Sequence, residues 1–343
     1  MLTLIHQLDL LGLDETVRQV EAAAPTHQRK REVRRVTTLH QMLSELPSAD
    51  DLSFLHSGFC QTCLPHSRPA QNRSVWRRSA GRFRLIVTPG IIDTSDDDTA
   101  MRQPTVEQED QMFVGVPYGT KARLILIHLQ TEGIRSRTVN LGPSLSAFLR
   151  SLGLPVTGGP RGSIGAVREQ CLRIARCTFT LQWADKDPDG AERTVITDTK
   201  IVDGMEMWRS AKGDEWSSAV ELSERFHAHL REHAVPLDKR GIAHLAGNSL
   251  GLDLYTLLAY RLPKLTRETH VRWEGIQAQI GADYGTTHHL AAKVRAVLPD
   301  VIIAYPHAKV EVTHTGLTLR PSPPAVPKTL VQALRITDSS LSI

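Results

Sequence analysis

Two stretches of this chain repeat one order of apolar helices and alternating strands, roughly 126 to 130 residues apart, with little identity between them. In the first, residues 120–133 place Ala122, Leu124, Ile125, Ile127 and Leu129 at helical spacing and stop at Gly133. Residues 143–152 follow with Leu145, Phe148, Leu149 and Leu152, closed by Gly153. After the breaker-rich VTGGPRG a third helix opens at Ser163, which can cap it by accepting an amide hydrogen bond. Residues 177–183 alternate Phe179, Leu181 and Trp183 on one face, and the polar turn ADKDPDGAE leads to a returning strand over 193–202. In the second stretch, 250–262, 271–280 and 286–298 read as helices, and 301–305, 309–313 and 315–320 as strands. Leu152-Gly153 then corresponds to Ile280-Gly281, and Ile164 to Leu290. Three helices followed by a hairpin is the order of a winged helix, whose third helix enters a groove while the hairpin touches the backbone.

The expected fold class is therefore α+β: two winged-helix domains (helix-turn-helix with a β-hairpin wing) in tandem, with a helical N-terminal extension. At 343 residues the chain exceeds what one core usually holds. The expected divisions are a helical extension with a basic arm (1–50), a first winged helix (51–212, with an acidic linker at 93–110), a second (213–320) and a flexible tail (321–343). Apolar spacing at Ile5, Leu8, Leu11, Val17 and Val20, and again from Val36 to Leu46, predicts helices in the extension. RFRLIVT at 82–88 reads as a strand, and 215–233 as an amphipathic helix through Val220, Leu222, Phe226 and Leu230.

The net charge of +4 conceals a segregated distribution. THQRKREVRR at 26–35 is a basic arm, and 93–110 is strongly acidic. Between 115 and 184, Lys121, Arg123, Arg135, Arg137, Arg150, Arg161, Arg168, Arg173 and Arg176 face only Glu132 and Glu169. Such a block is the electrostatic footprint of a polyanion binder.

On the first third helix, Ile164, Val167, Cys171, Ile174 and Ala175 share an arc of about 100° and form its buried stripe. Arg168, Arg173 and Arg176 occupy another arc, and Arg161 precedes the helix among glycines that permit close backbone approach. Arginine reads guanine or clamps phosphate, and helix N-terminal amides accept anions. Arg161, Ser163, Arg168, Arg173 and Arg176 are the DNA-binding candidates there. On the second, Leu290, Val294, Val297 and Leu298 face inward, leaving Thr286, Thr287, His288, His289, Lys293 and Arg295 for DNA, with Ala292 and Ala296 small enough for a groove.

No catalytic arrangement emerges. There is no Walker-type loop, nucleophile elbow or HExxH, so the expectation is a non-enzyme with no catalytic residues and no cofactor. His56, Cys60, Cys63 and His66 form H-x3-C-x2-C-x2-H, short for structural zinc, and buried thiols beside a strand are expected instead of a metal site. A zinc-dependent interaction module is the alternative from another class. Four cysteines make no disulfide framework, and neither a secretory signal nor a membrane span is read, so a cytoplasmic location and no membrane partner are expected.

PYGTKARLILIHLQTE (117–132) and LGPSLSAFLRSLGLPVTGGPRGSIGAVREQ (141–170), with CQTCLPHSRP, Trp76, Arg78 and Gly81 upstream, resemble plasmid-encoded RepA-type replication initiators over about residues 50–320. The resemblance implies a bacterial plasmid protein that binds repeated origin sites (iterons) in double-stranded DNA, promotes opening of an AT-rich region and engages host replication proteins such as the replicative helicase. It also implies self-association between monomer and dimer. A winged-helix transcriptional repressor is the alternative with the same domains.

Overall fold

The computed structural model describes residues 2–81, 83–91, 106–186, 192–205, 208–209, 215–216, 219–281 and 283–332. The first part of the chain forms α1 (Leu2–Ala23), α2 (Arg29–Ser44), β1 (Leu52–His56), α3 (Ser57–Gln61), β2 (Trp76–Ala80), β3 (Phe83–Thr88) and α4 (Val106–Gln111). Next come α5 (Gly119–Gly133), β4 (Thr138–Asn140), α6 (Leu145–Ser151), α7 (Ser163–Arg176), β5 (Thr178–Lys186), β6 (Glu192–Thr199) and β7 (Val202–Met205). Two short strands, β8 (Trp208–Arg209) and β9 (Glu215–Trp216), precede β10 (Ala219–Leu222), α8 (Glu224–His233) and β11 (Ala234–Asp238). The last part holds α9 (Lys239–Leu245), α10 (Ser249–Arg261), β12 (Thr269–Arg272), α11 (Trp273–Ile280), α12 (Thr287–Ala304), β13 (Val310–Val312) and β14 (Gly316–Leu319).

These elements separate into a terminal unit (Met1–Ser53, Pro236–Ile276, Tyr284–Ile343) and a central unit (Phe54–Val235, Gln277–Asp283). The helical extension thus belongs with the second repeat, and residues 213–235 with the first. The sheet order explains the latter. In the central unit β4, β10 and β7 form an antiparallel sheet in the order β4-β10-β7, with Val220 opposite both Val139 and Met205. Val220 and Leu222, expected on a helix, are therefore strand residues, and the helix begins only at Glu224, where Ser223 caps it by accepting from the Phe226 amide.

The repeat is visible in element order. The central unit runs α5, β4, α6, α7, β7, β10, with the β5–β6 hairpin inserted before β7 and the short β8 and β9 between β7 and β10. The second repeat runs α10, β12, α11, α12, β13, β14, and its sheet has the matching order β12-β14-β13. In each, the leading helix is apolar on nearly all sides and forms the centre of the core: α5 buries Leu124, Ile125, Leu126, Ile127 and Leu129, and α10 buries Leu250 through Ala259.

Two expectations change here. The hairpin at 177–202 was expected to be the wing, but β5 and β6 join β2 and β3 in a four-stranded antiparallel sheet of order β2-β3-β5-β6. Leu85 and Val87 pair with Leu181 and Phe179, and all four are buried. The apolar faces of two distant hairpins complete one another, which neither could do alone. Residues 301–305, expected as a strand, instead continue α12 to Ala304, because Val301, Ile303 and Ala304 are buried at helical spacing.

In the extension, α1 is kinked at Gly12 (φ 73). Leu8, Val36, Leu39 and Ile303 form a buried cluster that fixes α1 and α2 onto α12. The basic arm is the first half of α2. Arg31 reaches Oδ2 of Asp300 and Arg35 its Oδ1, each at 2.9 Å, and His244 contacts Oδ1 as well at 3.2 Å. Burial opposes ionisation of Asp300, but the hydrogen bond from His244, the charge of Arg35 and the hydrogen bond from Arg31 outweigh it and pull the carboxyl down to about 2. Asp300→Asn should lower the stability of the terminal unit by about 2 kcal/mol at neutral pH, measured by urea unfolding. The deficit should vanish as pH falls from about 4 towards 2, where the native carboxylate is itself protonated.

Of the acidic linker, 93–105 lies outside the described residues; its last part is α4, where Asp110 accepts from the amides of Asn72 and Arg73. The start of the expected flexible tail is packed: Val326 is buried, Tyr305 donates its hydroxyl proton to the Pro323 carbonyl, and Ser322 accepts from the Lys309 amide. Residues 333–343 lie outside the described residues.

Candidate nucleic-acid interface

The exposed side of α7 follows from its amphipathic spacing. Val167, Gln170, Cys171 and Ile174 are buried, while Gly165, Arg168 and Arg176 are exposed. Arg168 and Arg176 are two turns apart, roughly 12 Å along the axis. Arg161, also exposed, lies just before the helix. These three are the exposed cations of this candidate set.

Two candidates leave it. Arg173 is buried, its side chain 3% exposed, with Glu169 at 2.9 Å, the Val116 carbonyl at 3.0 Å, Asn72 at 3.4 Å and the Tyr118 ring beneath it at 5.1 Å. It is a core clasp, drawn inward because α7 packs against the segment before α5. Ser163 is buried too: it donates to the Pro155 carbonyl and accepts from the Thr157 amide. The helix is instead capped at Gly162, with no side-chain cap bond. The amides of Ser163 and Ile164 are taken by Thr157 at 2.9 and 3.2 Å, so these first-turn donors are not open to an anion. The loop closes so tightly that a Cβ at Gly162 would lie 2.4 Å from the Thr157 and Gly158 carbonyl oxygens. That turn needs glycine for space, not for approach to DNA.

On α12 the exposed candidates stay together. Leu290, Ala291, Val294 and Val297 are buried, whereas His288, His289, Ala292, Lys293, Arg295 and Ala296 are exposed. His288, Ala292 and Arg295 follow i, i+4, i+7 spacing along one line. Thr286 is the N-cap, accepting from the His289 amide at 3.2 Å, and Thr287 is half-buried. Arg295 donates to the Thr313 carbonyl at 3.3 Å and lies 5.7 Å over Trp273, whose indole donates to the His314 carbonyl. The β13–β14 turn is thereby tied to the helix face, and it presents exposed His314; Arg272 on β12 is exposed as well. Sequence reasoning passed over His314 and Arg272, although each is a lone base in a strand or turn of the repeat.

Of the metal-like cluster, Cys63 and His66 keep their ligand atoms within 4.8 Å of one another, while His56 is engaged elsewhere. The His56 Nδ1 accepts from the Gly58 amide at 3.0 Å, so its proton sits on Nε2, which donates to Nδ1 of His229 at 2.7 Å. His66 is engaged with the Ile280 carbonyl and Cys60 and Cys63 are buried. None of the four cysteines forms a disulfide, and burial pushes the Cys171 and Cys177 thiols up to about 12. Among the described residues no helix is long and apolar enough to cross a membrane.

No curated protein matches the chain. Among solved structures, a selenomethionine derivative of domains 2 and 3 of RctB is similar with a TM-score of 0.46 at 9% identity, covering 77% of this chain and 98% of that one. A second crystal structure of RctB domains 2–3 gives a TM-score of 0.42 at 9% identity, covering 76% and 94%. The family model described as plasmid encoded RepA protein matches residues 116–275, from just before α5 into α11. Those residues are thus similar to the plasmid-encoded RepA family, the replication initiators that the sequence resembles.

Proposed function

We propose that this protein initiates plasmid replication by binding repeated origin sequences in duplex DNA through two winged helices, in which α7 and α12 are the recognition helices. The observation that carries the reading is the equivalence of these helices. Each is the third helix of the same element order, each buries one face in its core, and each exposes a basic face carrying small residues. In this reading the wings are β7–β10 and β13–β14, Arg161, Arg168 and Arg176 contact bases or phosphates from α7, and His288, His289, Lys293 and Arg295 do so from α12. Binding at the iterons then promotes origin opening and recruits host replication proteins, including the replicative helicase, without covalent catalysis. Arg35 is committed to Asp300, which leaves Arg29, Lys30, Arg34 and the largely exposed Arg31, itself paired with Asp300, as the arm's exposed cations.

Titration of purified protein against iteron and scrambled duplexes at several salt concentrations tests this. Arg168→Ala should weaken iteron binding by about 1 to 3 kcal/mol if it reads a base, or weaken both duplexes evenly if it holds phosphate. Unchanged affinity for both would remove α7 from the interface. A plasmid carrying only this gene and its flanking repeats should replicate in a host. Intact binding without replication would identify a repressor.

A further inference from the structure

The four-stranded sheet has an outward face that the recognition helices do not use. Side chains alternate across a strand, so the buried Phe83, Leu85 and Val87 of β3 define the inner side, and Arg84, Ile86 and Thr88 the outer. The register carries this pattern across. Arg77 pairs with Ile86 and Ser79 with Arg84 on β2, while Gln182, Thr180 and Thr178 continue the same rows on β5. Arg77 and Arg84 are exposed, and neither has an acidic partner among the described residues. They are diagonal neighbours, roughly 7–8 Å apart at Cα. Around them stand Ser79, Thr88, Thr178, Thr180 and Gln182, all hydrogen-bond donors, and on β2, β3 and β5 up to Gln182 this face carries no carboxylate. On β6 the register brings acidic residues, Asp198 opposite Thr180 and Glu192 opposite Lys186, whereas the two arginines lie on β2 and β3.

We propose that this face is a second polyanion-binding surface, which holds the sugar–phosphate backbone of duplex DNA flanking the sequence gripped by α7. Two adjacent guanidinium groups without a counter-ion repel one another, and a polyphosphate is the partner that removes the repulsion. The outward rows of β2, β3 and β5 up to Gln182 hold no aromatic ring, so the face lacks the stacking platform that single strands require. It is also continuous with the α7 end of the molecule. β5 starts two residues after Arg176, and Gly90, just past β3, packs so closely that a Cβ there would lie 2.2 Å from the Arg176 carbonyl oxygen. The alternation of arginine with apolar residues in RFRLIVT was its signal in the sequence.

This surface rests on the DNA-binding reading but not on base recognition by α7, and the experiment separates the two. Full-length protein and the double variant Arg77→Gln/Arg84→Gln are titrated against iteron duplex, scrambled duplex and a single-stranded oligonucleotide over a salt series. The variant should remain folded, with an unchanged thermal midpoint, and lose about two from the slope of log affinity against log salt. The loss should be equal for both duplexes, and Arg77→Lys/Arg84→Lys should restore the slope. Unaltered slope and affinity in the folded variant would overturn the proposal, as would a loss confined to the iteron or to the single strand. Failure of Arg168→Ala to alter binding, with the sheet variant still shallower in slope, would overturn recognition by α7 and leave the sheet surface standing. A wild-type protein that binds no duplex would overturn both.

Discussion

Arg173→Ala is expected to lower the stability of the central unit by about 3 kcal/mol, whereas Arg168→Ala, five residues earlier on the same helix, stays within about 0.5 kcal/mol of wild type. The difference lies in what each guanidinium faces. Arg173 is 3% exposed and satisfies the Val116 carbonyl, Asn72 and Glu169 while stacking on Tyr118. Truncation leaves the Val116 oxygen and part of Glu169 without donors and opens a cavity under α7. Part of the loss is softened because Glu169 is 35% exposed and can be hydrated. Arg173→Lys should recover little, since one ammonium cannot span three acceptors in the planar arrangement that the guanidinium matches. Urea unfolding of the four proteins at pH 7.5 checks this. A wild-type midpoint for Arg173→Ala would show that the clasp does not hold α7. It would also return that arginine to the DNA-facing set.

A second large effect is expected in acid. Burial first, and then the neighbouring charges of His229 and His233, hold His56 down at about 3, and burial with the charge of His233 holds His229 at about 4. Both lie below the ordinary histidine value, so between those values and about 6.5 the unfolded chain binds more protons than the folded one. Stability is therefore complete above about pH 6.5 and falls as pH drops. At pH 5 the His56 contribution alone amounts to about 2 kcal/mol lost, and His229 adds in the same direction. Protonation would break a specific arrangement. His56 accepts from the Gly58 amide at the start of α3 and donates to His229 on α8, and a doubly protonated ring cannot accept. Urea midpoints of wild type and His56→Gln between pH 7.5 and 4.5 should converge as pH falls, the variant being weaker at neutral pH but flatter. Parallel pH profiles would refute the assignment.

The helical cores were legible because helices advertise burial locally. The spacing from Ala122 to Leu129 and from Leu290 to Val297 predicts which faces are inside, and those residues are buried. The exposed face of α12 follows as the complement of that stripe. The same logic misassigned Arg173 and Ser163, because periodicity counts an arginine or serine as polar without asking whether a carbonyl 57 or eight residues away waits for its proton. Strand partners were the other failure. RFRLIVT and the 177–202 hairpin each read correctly as strands, yet nothing local says that β3 pairs with β5, or that β10 completes a sheet with β4 and β7.

The sequence by itself therefore determined the repeat, the basic block, the buried faces of the helices and the resemblance to plasmid-encoded RepA proteins, because each depends on residues near one another in the chain. Tertiary structure alone decided that β5 and β6 pair into the sheet of β2 and β3, that the N-terminal helices pack in the same unit as α12 around Asp300, that Arg173 is buried as a clasp, and that Arg77 and Arg84 share an open face. The physical reason is common to all four. Burial, ion pairing and sheet register are made by groups distant in sequence, and their free energy depends on the partner that folding brings, not on the residue's own neighbours.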